Sequence, residues 1–281
     1  MDSLHPAHFR DLVKAALAED LGQAGDLTSA ACLPAGSQSV GSIVARKAGV
    51  VAGLCIAAEV FRQVDPTLKL TTEVGEGATV RAGEELMQVH GATASILAAE
   101  RTALNFLGHL SGIATTTRAL VDRIHGTRAR IVCTRKTAPT LRALEKFAVR
   151  CGGGMNHRFG LYDAVLIKDN HRIAAGGIRP ALDAARKRAG HLVKIEIEVD
   201  DVPQLQQALD GGADVIMLDN MSPAEVTECV RIAAGKVVLE ASGGITLETV
   251  RAYAETGVDL ISVGWITHSA PNLDVSLDLS T

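Results

Sequence analysis

The sequence predicts an α/β protein, a β/α barrel preceded by a smaller β-rich domain, and three observations carry that reading. From about residue 130 onward short apolar runs alternate with helix-like segments. The later repeats settle near 22 residues, the rhythm of parallel β/α units. There are at least six such units and no G-x-G-x-x-G opens a helix, which favours a barrel over a doubly wound sheet. Aromatic residues make up 3% of the chain and hydrophobic residues 47%, so the core must be built from Ala, Val, Leu and Ile. A length of 281 residues suits one large domain or two ordinary ones.

The elements follow in order. Residues 6–21 place Phe9, Val13, Ala16, Leu17 and Leu21 on one helical face. GDLTSAACLPAGS (25–37) is rich in turn formers. Residues 40–53 read as strand, and 68–90 as short antiparallel strands broken by glycine turns. GATVRAGEEL within that stretch has the look of a biotinyl or lipoyl hammerhead, but no lysine stands at a hairpin tip to carry a cofactor. From 92 to 125 the pattern is helical, with two helices meeting near Ser111–Gly112. Barrel strands are expected at 130–134, 164–170, 192–199, 214–220, 236–244 and 259–264. Helices are expected at 139–150, 178–189, 202–210, 223–234 and 246–256. For the first of these Thr137 is the expected N-cap, Pro139 lies near N1, and Gly152 is the C-cap.

A formal net charge of −4 argues against nucleic-acid binding driven by global charge. The five cysteines (Cys32, Cys55, Cys133, Cys151, Cys229) are scattered with no C-x-x-C, as expected of free thiols in a reducing compartment. MDSLHPAHFR has no apolar signal core, and no window approaches 18 uninterrupted apolar residues. The expectation is a cytoplasmic protein without a membrane span.

In a β/α barrel the chemistry sits at the C-terminal ends of the strands, and polar residues collect there. The first strand ends in Thr134, Arg135 and Lys136, and the second in Lys168, Asp169 and Asn170. The third ends through Glu196 and Glu198, the fourth in Asp219–Asn220. The fifth ends in Glu240, Ser242, Gly243 and Gly244, and the last in Val263–Gly264. Capping of the next helix explains one such residue, not a set across six strands. Between Arg135 and Arg172 there are eight Lys/Arg and three Asp/Glu. Arg142, Lys146 and Arg150 fit a solvated helix face. Arg135, Lys136, His157, Arg158 and Lys168 come from strand ends and a loop and can converge, which implies a polyanionic ligand. Glu198 and Asp219, with Glu196 and Glu240 as weaker candidates, would repel that ligand unless Mg²⁺ or sugar hydroxyls intervene. SGGI (242–245) and SVGWITHSA (262–270) give two glycine turns where backbone N–H groups can meet a phosphate, each followed by a helix N-terminus. The three glycines of CGGGMNHRFG (151–160) are expected to leave space for a wide ligand and to deliver His157 and Arg158 to the mouth of the barrel.

TRKTAPTLRALEKFAVRCGGGMNHRFGLYDAVLIKDNH (134–171) closely resembles the quinolinate phosphoribosyltransferase family, the carboxylating nicotinate-nucleotide pyrophosphorylases. EVDD, IMLDNM, EASGGI and ISVGWITHSAPNLDVSL continue the likeness in order, and EDLGQAGDLTS begins it. The resemblance implies transfer of phosphoribosyl from phosphoribosyl pyrophosphate (PRPP) to quinolinate with Mg²⁺, giving nicotinate mononucleotide, pyrophosphate and CO₂. It implies an N-terminal α/β sandwich domain (1–112, with 268–281 returning to it) and an irregular β/α barrel (113–267). It also implies a homodimer, or a higher oligomer, in which Arg101 reaches the neighbouring subunit's site. Arg135, His157 and Arg158 would hold the quinolinate carboxylates, beside Thr134. Lys136 and Lys168 would face that ligand or the pyrophosphate. Glu198 and Asp219 would hold ribose hydroxyls and Mg²⁺. Ser242, Gly243, Gly244, Val263 and Gly264 would bind the 5′-phosphate, with His268 close by.

Three rivals compete. A Schiff-base aldolase would use Lys168, which then needs a dry, cation-crowded setting. A doubly wound phosphoribosyltransferase would use Asp200–Asp201 as its acidic pair, but Val202–Pro203 follows where a phosphate loop should run. An oxyanion-handling relative linked to molybdenum transport would not release pyrophosphate from PRPP.

Overall fold

The computed structural model describes residues 4–280. In chain order its elements are α1 (Arg10–Leu21), α2 (Leu27–Cys32), β1 (Gln38–Ala45), β2 (Gly49–Val50), α3 (Leu54–Val64), β3 (Lys69–Thr72), β4 (Thr79–Val80), β5 (Glu85–Ala92), α4 (Thr93–Arg123), β6 (Arg130–Val132), α5 (Arg142–Cys151), β7 (Val165–Ile167), α6 (Asp169–Ala175), α7 (Ile178–Arg188), β8 (Ile195–Val199), α8 (Val202–Asp210), β9 (Val215–Asp219), α9 (Pro223–Ala233), β10 (Val238–Ser242), α10 (Val250–Glu255), β11 (Leu260–Ser262), α11 (Trp265–His268) and β12 (Val275–Ser280). Contacts divide the chain into two compact units. One runs through Arg118 and adds Ala138–Gly153 and the residues from Ser269; the other is Ala119–Thr137 and Gly154–His268. The first division falls inside α4, a few residues beyond the 112/113 boundary read from the sequence.

The first unit is built on an antiparallel sheet ordered β12-β1-β5-β3. The last strand pairs along β1 from Val40↔Ser280 to Ala45↔Val275. Two elements differ from the sequence reading. Within the turn-rich stretch Asp26 accepts the N–H groups of Thr28 and Ser29 and starts α2. Residues 54–64 form a further helix, α3, which buries Leu54, Ile56, Ala57, Val60 and Phe61 at helical spacing.

Helix α4 is one 31-residue helix, not two. Ser111 accepts from Ala52 N and donates to Ala52 O across its face without breaking it. Gly112 is required by a close approach: a Cβ there would lie 2.9 Å from Asn272 Cα and closer still to the Pro271 carbonyl oxygen. Helix α5 starts later than expected. Thr140 sits at φ 70, outside the helical region, so neither Thr137 nor Pro139 opens the helix. Glu145, fully buried, instead accepts the Ala138 N–H at 3.2 Å and His109 Nε2 at 2.9 Å. Lys146, expected on a solvated face, is 1% exposed, because α5 buries Leu144 through Val149 without a break.

The second unit is a parallel sheet of six strands ordered β6-β11-β10-β9-β8-β7. Met155 adds a bridge beside Val132 of β6. Helices α7 to α10 connect strands as the period demanded. Asp201 caps α8 through the Gln204 N–H, and Ser222 caps α9 in a box with Glu225. The parallel register brings the C-terminal ends of all six strands to one rim. No described helix is long and apolar enough to cross a membrane, and the five cysteines are free thiols.

Candidate active site

A cavity of about 710 Å³ opens at that rim. Every strand of the second unit contributes to it, and the contributions separate by charge. Thr134, Arg135 and Lys136 leave β6 and line one part of the wall. Thr134 Oγ1 accepts the Lys136 N–H at 3.0 Å, and Thr267 Oγ1 donates to the Lys136 carbonyl at 2.7 Å, so the two cationic side chains leave a pinned backbone. His157 and Arg158 join them. Arg158 Nη1 donates to the Ala164 carbonyl at 3.0 Å, while its buried Nε has no hydrogen-bond partner. Burial, and then the neighbouring Arg135, hold the Arg158 guanidinium below its usual range. Two guanidinium groups that feel each other's charge in one partly buried cavity make an anion site by their own electrostatics.

Lys168 stands at the N-cap of α6, half-exposed, with Nζ 3.1 Å from Glu198 Oε2. An exposed lysine paired with a carboxylate is the reverse of what a Schiff-base nucleophile needs, which removes the aldolase rival. Asp200 and Asp201 are structural: Asp200 accepts from Arg172 at 2.7 Å and Asp201 caps α8.

Glu198 and Asp219 form the acidic part. Alternation along β8 puts Glu196 and Glu198 on the same face, with Glu198 level with Met217 of β9. Asp219 is level with Ser242 of β10. Burial and then the Glu198 charge raise the Asp219 carboxyl above its usual range. Carboxylate oxygens of Glu198, Asp200 and Asp219 lie within 4.8 Å of one another. An all-oxygen donor set with mutual repulsion fits a hard divalent cation such as Mg²⁺.

Ser242, Gly243 and Gly244 follow β10, and Val263 and Gly264 follow β11; all five line the cavity, as does His268. Gly243 and Gly244 have φ of 98° and 60°, where glycine is favoured. A Cβ on Gly243 would overlap the Asn220 side chain, and one on Gly264 would come within 2.9 Å of Lys136 Cδ. The two turns are tied by Trp265 Nε1 donating to the Ile245 carbonyl at 2.9 Å. Helix α10 begins only at Val250, so its N-terminus does not abut Gly243–Gly244; only the short α11 directly follows its glycine.

The glycine run 152–154 does not line the cavity. Gly152 ends α5 in a right-handed conformation with φ −72°. It is glycine because a Cβ would lie 2.6 Å from Thr117 Cβ and closer to the Ala114 carbonyl oxygen of α4. Gly153, at φ 89°, makes the left-handed turn. The run therefore serves packing and a turn, not ligand passage. Arg101, exposed on α4, lines a separate hollow of about 230 Å³ in the first unit with Glu19, Asp20 and His109. Reading the sequence did not single out Trp265 or Met217, which also line the main cavity; their apolar character gave no signal apart from their place at strand ends.

Comparison with known proteins gives a consistent set of likenesses. Residues 113–278 match the sequence model for the quinolinate phosphoribosyl transferase C-terminal domain, and 26–111 match that for its N-terminal domain. A protein of Bacillus subtilis (strain 168) named probable nicotinate-nucleotide pyrophosphorylase (carboxylating) is 46% identical, covering 93% of this chain and 90% of that one. The nicotinate-nucleotide pyrophosphorylase (carboxylating) of Mycobacterium leprae (strain TN) is also 46% identical, covering 96% of both. The solved nicotinate-nucleotide pyrophosphorylase from Francisella tularensis superimposes with a TM-score of 0.95 at 40% identity, over 99% of this chain and 98% of that one.

Proposed function

The chain belongs to the quinolinate phosphoribosyltransferase family, and from that premise we infer how its cavity performs the family reaction. The enzyme transfers phosphoribosyl from PRPP to the nitrogen of quinolinate, with loss of CO₂ and pyrophosphate, and makes nicotinate mononucleotide. The observation that carries the reading is the convergence of Arg135, Arg158, Lys136 and Lys168 on one cavity. A single carboxylate does not call for that much positive charge; a pyridine dicarboxylate beside a pyrophosphorylated sugar does.

The roles follow from position. Arg135, His157 and Arg158 take the two carboxylates, all three lining the cavity, with Thr134 holding the loop that carries Arg135. Lys136 and Lys168 offer point charges to the dicarboxylate or to the departing pyrophosphate. Glu198 and Asp219 take the ribose hydroxyls and would hold Mg²⁺, which when bound neutralises the pyrophosphate charge. Ser242, Gly243, Gly244, Val263, Gly264 and His268 receive the 5′-phosphate. As pyrophosphate leaves, positive charge develops at ribose C1 and the pyridine nitrogen bonds there. The resulting pyridinium draws in the electron pair of the C2–carboxylate bond; CO₂ departs and C2 takes a proton. The chain's own contribution is orientation and fixed charge. The assembly is a homodimer in which Arg101 enters the neighbouring subunit's site. Its exposure on α4 supports that role. Free thiols, three of them buried, suit the cytoplasm.

The test is release of CO₂ and pyrophosphate from PRPP with Mg²⁺, comparing quinolinate with nicotinate. Stoichiometric release from quinolinate and none from nicotinate is expected. Equal use of nicotinate, or oxyanion binding without turnover, overturns the reading.

A further inference from the structure

Some polar residues that end the parallel strands have no part in the reaction just described. Glu196 and Glu240 are buried and do not line the cavity. Asn220 does line it, and its backbone sets it apart. Strand β9 ends at Asp219, level with Ser242 of β10. Asn220 then turns the chain away from the sheet at φ 55, in the left-handed region that most L residues avoid. Among the described residues only Thr140 and Ala234 share that feature without being glycine, and neither lines the cavity.

The turn is held from several sides. The Asn220 N–H donates to the Ser242 carbonyl at 2.8 Å, which carries the β9–β10 pairing one step past Asp219. Tyr253 Oη donates to the Met221 carbonyl at 3.0 Å, and Ser222 opens α9 with its capping box. A strained conformation persists where the surroundings impose it, and such positions collect at functional sites. The turn alone does not call for asparagine. Glycine takes positive φ without strain, and the chain uses it so at Gly243 and Gly244 on the neighbouring strand end. What asparagine adds over glycine is its amide.

That amide reaches both parts of the phosphoribosyl site. Nδ2 donates to Asp219 Oδ2 at 2.6 Å. The side chain also lies over Gly243: a Cβ built there would overlap Asn220 Oδ1 and come within 2.7 Å of its Cγ. A neutral donor orients a carboxylate without cancelling its charge, so one Asp219 oxygen is fixed and the other stays available. A pentose 5-phosphate carries its hydroxyls and its phosphate on one small frame, so the groups that receive them must keep one spacing. We propose that Asn220 is a positioning residue for the phosphoribosyl donor, whose side chain locks the Asp219 carboxylate to the Gly243 turn and so sets the spacing between ribose hydroxyls and 5′-phosphate. The role rests on the assignments of Asp219 and Gly243 made above. It accounts for a strained asparagine where glycine would fold more easily.

Asn220→Gly separates the amide from the turn, because glycine accepts the same backbone conformation. This variant should melt within about 4 °C of the wild type. In calorimetric titrations with Mg²⁺ present and quinolinate absent, its Kd for PRPP should rise about tenfold or more, the scale of losing one hydrogen bond to a charged group. KM for PRPP should rise with it, while KM for quinolinate stays within about twofold. Inorganic pyrophosphate has neither ribose nor 5′-phosphate and should bind the wild type and Asn220→Gly alike. Asn220→Asp keeps the shape but sets a second carboxylate beside Asp219. It should weaken PRPP in the same direction, which covers the case where the glycine variant does not fold. A glycine variant that binds PRPP as tightly as the wild type overturns the proposal and leaves Asn220 a turn residue. So does a loss of affinity equal for PRPP and pyrophosphate, or equal for PRPP and quinolinate. A wild type that binds PRPP but releases no CO₂ from quinolinate would overturn the reaction assigned above, and the comparison of PRPP affinities would still decide the role of Asn220.

Discussion

At the scale of the residue, the buried Glu240 carries a consequence for stability that can be separated from catalysis. Its carboxyl titrates at about 7 in the folded chain against an ordinary 4.5. Between those values the folded state binds more protons than the unfolded one, so this group lowers stability as pH rises through that window. Below about pH 4.5 both states are protonated and the penalty vanishes. Glu240→Gln, which cannot ionise, should therefore gain on the wild type as pH climbs from about 4.5 to 7. The difference in urea midpoint between the two proteins should grow across that range and then level off. A difference that stays constant with pH would mean that the carboxyl titrates alike in the folded and the unfolded chain. The same residue shows what the sequence could say. IEIEV alternates charge with β-branched residues, and the period of two already places Glu196 and Glu198 on one face. It cannot say that one glutamate meets a histidine and the other a lysine, because that depends on which strands are neighbours.

At the scale of the element, the parallel repeat was the legible part. Helices α7, α8 and α9 lie within about a residue of the spans expected from periodicity, since each has an apolar face and α8 and α9 also start with a capping side chain and a proline. Two of the failures share one cause: the decisive contact is distant in sequence. Ser111–Gly112 looks like a break until Pro271–Asn272 is seen against it. The glycines after Cys151 look like a ligand gate until Gly152 is seen against Ala114 and Thr117. That contrast is testable. Gly152→Ala puts a Cβ against backbone that cannot move aside and should cost about 2–4 kcal/mol, the range for overpacking and strain. Gly244→Ala meets nothing within 4 Å and carries only the strain of φ +60°, about 1 kcal/mol. Thermal melts should thus show a clearly larger drop in Tm for Gly152→Ala, while its KM for PRPP, if it folds, stays near wild type. Gly244→Ala should melt close to wild type yet raise KM for PRPP, because its backbone lines the phosphate turn. The reverse ordering of melts would mean that the run after α5 is not a packing feature.

At the scale of the whole molecule, the proposed exchange of Arg101 between two copies of the chain makes a prediction of its own. Arg135, Arg158, Lys136 and Lys168 come from the second unit, whereas Arg101 lies in the first and does not line the main cavity. If a neighbouring copy supplies Arg101, each site is made by two chains, and the two halves of the function can be separated by mutation. Arg101→Ala spoils the site of the partner and leaves the chain's own cationic wall intact. Arg135→Ala spoils the chain's own site and leaves its exported arginine intact. Each homodimer should lose at least about a hundredfold in kcat/KM for quinolinate, the cost of leaving a carboxylate without its bidentate partner in a partly buried site. A mixed dimer contains one doubly spoiled site and one site that is wild type throughout. Equal amounts of the two variants, unfolded and refolded together or co-expressed, should therefore recover roughly a quarter of wild-type activity when subunits pair at random, with light scattering reporting the dimer mass. Recovery absent from a mixture shown to contain mixed dimers, by capture of one variant through an affinity tag that the other lacks, would place Arg101 outside the partner's site. The complementation would then have to be sought within one chain, and the exposed arginine of α4 would revert to an ordinary surface charge.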